Sequence, residues 1–275
     1  MRTSTSILAI SVAIMLIGIG CTGSKSFAKK GAKLDAAGMY AESADMYLQS
    51  LIRNNANVDA KIGLKKNGQL LLNDKLSAFF KAFSLGDSKE AAVNAYLDAK
   101  SYSDRVARLG VVLDIPGNYV SDFNTVKGEY LVQLYTQGQD LMAKQDFTAA
   151  EGVFKKIGEL EPGYKDASSL QNIAYLEPLY RSGKDALIGK RYRKAYDDLG
   201  KVVAKDASYK DSGALRNEAL SKGQYSIAVL PFSGPKYKED QTTRLQAYAT
   251  AALTEMNDPF VKVVDRENIQ KILGT

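Results

Sequence analysis

The chain repeats itself at a fixed distance, and this constrains its fold more than any other feature. Residues 135–174 and 180–219 align without a gap at a shift of 45 residues, and the tripeptide Tyr-Lys-Asp occurs in both. Each copy predicts a helix, a break of one to three residues and a second helix. Such a period indicates an array of helix pairs, because one pair cannot bury its apolar face alone.

Two weaker copies precede these and keep the same frame. The steps between matching aspartates are 45, 62 and 45 residues, so the longer step predicts a 17-residue insertion near residues 105–125, around the turn-forming segment 114–118. We expect each matching aspartate to cap the next helix by accepting a hydrogen bond from a free backbone amide. These aspartates are Asp59, Asp104, Asp166 and Asp211.

A small residue is also expected in the second helix of each pair, where it lets the two helices approach closely. The matching residues are Ser43, Ser88, Ala150 and Ala195.

The third copy has small and large residues at the spacing of the tetratricopeptide repeat (TPR): Gly138, Leu141, Ala150, Phe154 and Pro162. Residues 27–222 therefore resemble that family, with about four helix pairs. The period is longer than that of a TPR, which is about 34 residues, and this implies a longer first helix in each pair. The resemblance implies a curved solenoid that binds proteins or peptides and performs no chemistry.

Residues 1–20 have the pattern of a cleaved signal peptide. Arg2 precedes an apolar run over residues 7–19, which is shorter than the roughly 20 residues that a membrane-spanning helix needs. The alternatives are a conventional signal peptide with an unrelated cysteine near the cut, or an anchor that is not cleaved.

The residues around the single cysteine resemble the lipobox of bacterial lipoproteins. Gly18, Ile19 and Gly20 precede Cys21, although leucine is usual at the position of Gly18. The resemblance implies acylation of Cys21 and attachment to a membrane by its acyl chains, followed by a polar tether over residues 21–26. Thr22 is not aspartate, which by resemblance to enterobacterial lipoproteins favours the outer membrane, facing the periplasm, with the cell surface as an alternative.

From residue 223 onward the pattern changes from helical repeats to a small α/β unit in the order βαβα. An apolar strand over 226–232, buried on both faces, is expected to precede a helix over 240–256 and a second strand over 260–264. A last helix follows Asp265. Strands joined through a crossover helix lie parallel. The fold class expected for the whole chain is therefore mainly α, with a TPR-like solenoid followed by this unit.

The unit over residues 223–275 resembles the opening of the CsgG family, which is related to the TolB amino-terminal domain and the lipoprotein LpoB. The resemblance depends on Ile227–Phe232, on Val263–Arg266 and on the helix that follows them. The family domain continues with further strands, whereas two strands alone leave exposed edges. Three alternatives remain open: the segment docks on the last repeat helices, a partner strand or a second copy of the chain covers the edge, or the printed sequence ends early.

Composition narrows the possible chemistry. The chain has no His and one Cys, which excludes imidazole and paired-thiolate metal sites and Ser-His-Asp triads. We therefore expect no enzyme activity, no cofactor and no metal. The net charge of +6 is spread along the sequence, so no nucleic-acid partner is expected.

The leading hypothesis is a lipid-anchored adaptor that binds envelope proteins or peptides through its repeats. It would assist or regulate an envelope machine, either CsgG-type secretion and curli-like assembly or cell-wall synthesis. One alternative is a structural lipoprotein that associates with itself. Another is a hydrolase that uses paired carboxylates, for which the closest acidic residues are Glu159, Glu161, Asp197 and Asp198.

Overall fold

The computed structural model describes residues 23–86, 88–230, 232 and 239–264. Within them the chain is mainly helical, with ten helices and one small two-stranded parallel sheet. Contacts divide the chain into two compact units, residues 1–133 and 134–275. The division falls inside a long helix, and the boundaries at 27–222 and 223–275 remain a prediction.

The first unit contains four helices and most of a fifth. They are α1 (Ser24–Ala36), α2 (Tyr40–Arg53), α3 (Val58–Leu85), α4 (Lys89–Ala107) and α5 (Gly117–Ala143), which continues into the second unit.

The second unit adds five helices and both strands. They are α6 (Phe147–Leu160), α7 (Ala167–Ile188), α8 (Tyr192–Lys205), α9 (Ser212–Gly223), β1 (Tyr225–Ala228), α10 (Glu239–Glu255) and β2 (Val261–Val264).

The helices alternate between two lengths. Three residues separate the members of each of the pairs α1–α2, α3–α4, α5–α6 and α7–α8. The first helices α3, α5 and α7 have 28, 27 and 22 residues, whereas their partners α4, α6 and α8 have 19, 14 and 14. The long period thus lies in the first helix of these pairs, as the sequence predicts.

In three of the four pairs, a glycine on the first helix faces a large side chain that lies 16 residues further along the chain, on the second helix. The spacing along the chain is the same in all three, and a Cβ atom built on the glycine would lie only 2.6–2.9 Å from the partner side chain. A larger residue at these positions would force the helices apart. The pairs are Gly31 with Tyr47, Gly138 with Phe154, and Gly183 with Leu199.

The second pair has a different register from the one predicted. Its second helix begins at Lys89, later than the repeat frame requires, because α3 is long and the break falls later. Ser88 therefore does not pack inside a second helix. It is the N-cap of α4, and its hydroxyl accepts a hydrogen bond from the Ala91 amide at 3.2 Å. The small buried residue at the position of Ser43 is Ala92.

The two strands are parallel, in the register Tyr225↔Val261 to Ala228↔Val264, which confirms the predicted crossover. The expected burial of the first strand on both faces is wrong. Three of the four residues of β1 are exposed, and Tyr225 is 49% exposed. A continuous apolar run predicts burial only where elements cover both faces of the sheet. The last predicted helix, after Asp265, lies outside the described residues.

The segment before β2 packs on the helices of the second unit. Phe260 is 2% exposed and meets the Tyr196 ring edge-on at a centroid distance of 5.3 Å. Asp258 forms an ion pair with Arg193 at 2.7 Å. Both partners belong to α8, so this contact agrees with the first of the three alternatives for the terminal segment.

Candidate functional site

The residues predicted to carry the lipid, Gly18, Ile19, Gly20 and Cys21, lie outside the described residues, which begin at Gly23. In the described part of the chain, none of the helices combines the length and the hydropathy that crossing a bilayer requires.

Two of the four predicted capping aspartates stand inside helices, and the prediction is wrong for them. Asp59 is the second residue of α3, whose N-cap is Asn57; the Asn57 side chain accepts from the Ala60 amide at 3.2 Å. Asp104 lies near the end of α4 and accepts a hydrogen bond from Lys100. The register shift of the second pair explains why Asp104 misses a helix start.

The other two aspartates stand at helix starts but bind a different group. Asp166 and Asp211 are the N-cap residues of α7 and α9, and neither side chain bonds to the amides there. Instead, Asp166 accepts from the Tyr135 hydroxyl, and Asp211 accepts from the Tyr180 hydroxyl at 2.6 Å. The bond to Asp211 raises the pKa of Tyr180 to about 12.

The rest of the Tyr-Lys-Asp tripeptide completes the same corner in both copies. Lys165 and Lys210 have positive φ angles of 46° and 50°, which turns the chain sharply before the next helix. Their ammonium groups lie 4.3 Å and 4.6 Å from the ring centroids of Tyr135 and Tyr180. The tripeptide therefore fixes the corner between consecutive helix pairs, which is a structural role.

The second corner also contains a buried carboxylate, Glu177, which is 9% exposed on α7. One of its oxygens accepts from the Tyr209 hydroxyl at 2.6 Å and from the Lys210 ammonium group. The other accepts from Arg181 Nε at 2.8 Å. Arg181 also donates to the Gln145 side chain at 2.5 Å. We call Glu177, Arg181, Tyr209 and Lys210 the Glu177 cluster.

These contacts determine the charge of the Glu177 cluster. Burial by itself would raise the pKa of Glu177, but the bonds from Lys210, Tyr209 and Arg181 lower it to about 2. Glu177 is therefore ionised at neutral pH. Since two cations surround one carboxylate, the cluster carries one excess positive charge.

An apolar floor lies beside the Glu177 cluster. Met142 on α5, Phe147 on α6 and Ile173 on α7 line a cavity of about 500 Å³ whose wall is formed by the cluster. The guanidinium of Arg181 stacks 5.1 Å from the centroid of the Phe147 ring. We call this cavity the Glu177 groove. It combines an apolar surface with charged groups held in place by several bonds each.

The sequence analysis missed the Glu177 groove, although a signal was present. When the 45-residue shift is applied, Glu177 matches Val132 and Arg181 matches Thr136. The charged residues therefore depart from the repeat pattern, whereas Lys210 matches Lys165. Charged residues on a first helix, at positions that are uncharged in the other copy, therefore distinguish this corner.

The structure places the acidic residues considered for hydrolysis in different surroundings. The side chain of Glu159 is 65% exposed and lies 3.9 Å from Lys155. Asp198 is buried; burial raises its pKa, but bonds from Lys194 and Ser182 lower it below its ordinary value. The neighbouring Asp197 is exposed, and Glu161 follows the end of α6. Within residues 23–264, so far as they are described, no three acidic or cysteine side chains converge as metal ligands.

Comparison of the chain with protein-family models, curated proteins and solved structures found no match.

Proposed function

We propose that this chain is a lipid-anchored adaptor of the bacterial envelope. Acyl chains on Cys21 attach it to the periplasmic face of the outer membrane, and its TPR-like helix pairs bind a partner protein or peptide. The sequence supports the anchor, through the resemblance of Gly18–Cys21 to a lipobox. The partner belongs to an envelope machine for secretion or for cell-wall synthesis. This part of the proposal depends on the resemblance of residues 223–275 to the CsgG family.

The Glu177 groove is the observation that carries the binding role. Ile173 in the floor of the groove is 38% exposed, so the groove presents apolar surface to solvent. Exposed apolar surface next to charged groups is typical of a binding site. Arg181 has five donors and uses only some of them on Glu177 and Gln145. The groove thus suits an extended segment with an apolar side chain next to an acidic one.

The carboxylates weigh against the hydrolase alternative. A general acid needs a raised pKa, whereas Glu177 and Asp198, the two carboxylates that are buried in the described part of the chain, have lowered pKa values. We therefore propose that the chain binds and does not catalyse.

Two isoleucines on α7 provide a matched test. Ile173 lines the groove, and Ile188, which is 73% exposed, stands at the end of the same helix. The full chain is produced in bacterial cells with a photo-crosslinking residue in place of Met142, and crosslinks are formed in the cell envelope. We expect one specific crosslinked partner with the wild-type sequence and with Ile188→Gln, and loss of that partner with Ile173→Gln. The binding role is wrong if both variants give the same crosslinks.

A second candidate function, self-association through the terminal unit, follows from its exposed apolar side chains. Leu245, Tyr248 and Met256 on and after α10 are 56%, 72% and 61% exposed, and among the described residues no third strand pairs with the sheet. Sedimentation of the full chain should then depend on its concentration. The variant Tyr248→Gln should reduce that dependence, and a monomer at every concentration would exclude this candidate.

A further inference from the structure

Helix α1 presents a face of lysines. Residues 24–34 contain four lysines and no acidic residue, and all four side chains are exposed. They are Lys25, Lys29, Lys30 and Lys33, which we call the α1 lysine face. The first acidic residue of the helix, Asp35, is paired with Lys66 on α3 at 2.9 Å. Within the part of the chain that the structure describes, no carboxylate forms an ion pair with these four lysines.

The geometry of α1 turns most of this face away from the buried side of the helix, although Lys25 and Lys29 also line a groove that contains Asp59 of α3. Lys25, Lys29 and Lys33 follow one another at intervals of four, so they share one side of the helix. Ala28 and Gly31 are buried on the other side. Like charges four residues apart destabilise a helix. The spacing of the lysines therefore costs helix stability, and a negatively charged partner would compensate for it.

The position of α1 in the chain indicates which partner this is. Ser24, the first residue of α1, follows Cys21 by three residues. Three residues span at most about 11 Å. Acyl chains on Cys21 would hold the start of α1 close to the membrane surface, at a distance comparable with the Debye length of about 8 Å at physiological salt. Charges at that distance are attracted to an anionic leaflet.

We propose that the α1 lysine face binds the headgroups of anionic phospholipids and lays α1 on the membrane surface. The inference rests on the proposed anchor at Cys21. Acyl chains supply one membrane contact, and the lysines supply a second, which also fixes how the first unit faces the bilayer. Stable membrane attachment commonly combines a lipid with a basic patch.

The absence of tryptophan in the chain gives a clean probe. Ala32 is exposed next to Lys29 and Lys33, so Ala32→Trp places a single tryptophan at the lysine face. The acylated chain is reconstituted in vesicles of phosphatidylcholine, with or without roughly one-third phosphatidylglycerol. We expect acrylamide quenching of the tryptophan to fall about twofold in the anionic vesicles, and about 1 M NaCl to reverse the change.

Charge variants separate this effect from general charge attraction. Replacing the four lysines of the α1 lysine face by glutamine should remove the protection from quenching. A matched control replaces four exposed lysines of the second unit by glutamine and should leave it unchanged. The control residues are Lys144, Lys155, Lys184 and Lys205. Equal quenching in both kinds of vesicle, or equal effects of the two variants, would overturn the proposal.

The anchor and the lysine face can fail independently. The intact mass of the purified chain shows whether Cys21 carries acyl chains. If it does not, the anchor is wrong, and the same chain is sedimented with the anionic vesicles. The lysine face then still predicts binding that falls about tenfold or more when its four lysines become glutamine. Binding that does not change refutes it.

Discussion

Neutralising Glu177 should weaken the second unit in a pH-dependent way. The pKa of its carboxyl is lowered from 4.5 to about 2 in the folded chain. At about 1.4 kcal/mol per pKa unit, the full shift corresponds to roughly 3 kcal/mol of folding stability. The side chains of Lys210 and Arg181 are 46% and 48% exposed, so solvent screens part of this. We therefore expect Glu177→Gln to cost about 1–2 kcal/mol at neutral pH.

The sign of the pH dependence follows from the lowered pKa. Since the folded chain binds the Glu177 proton more weakly than the unfolded chain, the stabilisation is complete above about pH 5. It is lost as the pH falls toward about 2. The difference in free energy of unfolding between wild type and Glu177→Gln should thus shrink to less than half at about pH 3.

The assay is urea unfolding followed by far-ultraviolet circular dichroism, combined with hydrogen exchange of α7 to α9. Glu159→Gln is the matched control, because its side chain is 65% exposed and its ion pair with Lys155 is on the surface. It should change the free energy of unfolding by less than about 0.5 kcal/mol at any pH. A difference between Glu177→Gln and wild type that is absent at neutral pH, or that grows as the pH falls, would refute the reasoning.

Two further changes test the packing and the corners. Gly138→Ala should destabilise the chain by about 1–3 kcal/mol in urea unfolding, because the new Cβ lies 2.7 Å from the Phe154 ring. The control Gly152→Ala, whose new Cβ meets nothing within 4 Å, should be neutral or stabilising. Equal effects of the two variants on the free energy of unfolding would contradict this account. Tyr180→Phe removes the hydroxyl that bonds to Asp211 at 2.6 Å and should cost about 1 kcal/mol. The pKa of Asp211, which that bond lowers, should rise in the variant when followed by NMR.

Much of the fold could be predicted because helix pairs depend on local periodicity. The sequence indicated the helix order of the last two pairs and the parallel strands, and the structure adds that Gly138 packs on Phe154. The sequence predicted the wrong start for the second helix of the second pair, because the end of α3 depends on its packing and not on the repeat pattern. The matching aspartate Asp104 suggested a false register. The sequence also misjudged β1, whose burial depends on neighbours.

The candidate site was less predictable than the fold. The single cysteine and the residues before it predict an anchor from sequence alone, since acylation recognises a short linear segment. The Glu177 groove depends on residues brought together from α5, α6, α7 and the corner before α9, and only the tertiary structure places them in contact. The corner at Tyr180 and Asp211 illustrates the difference. The sequence repeat shows that both residues recur, but only the tertiary structure shows that they bond to each other.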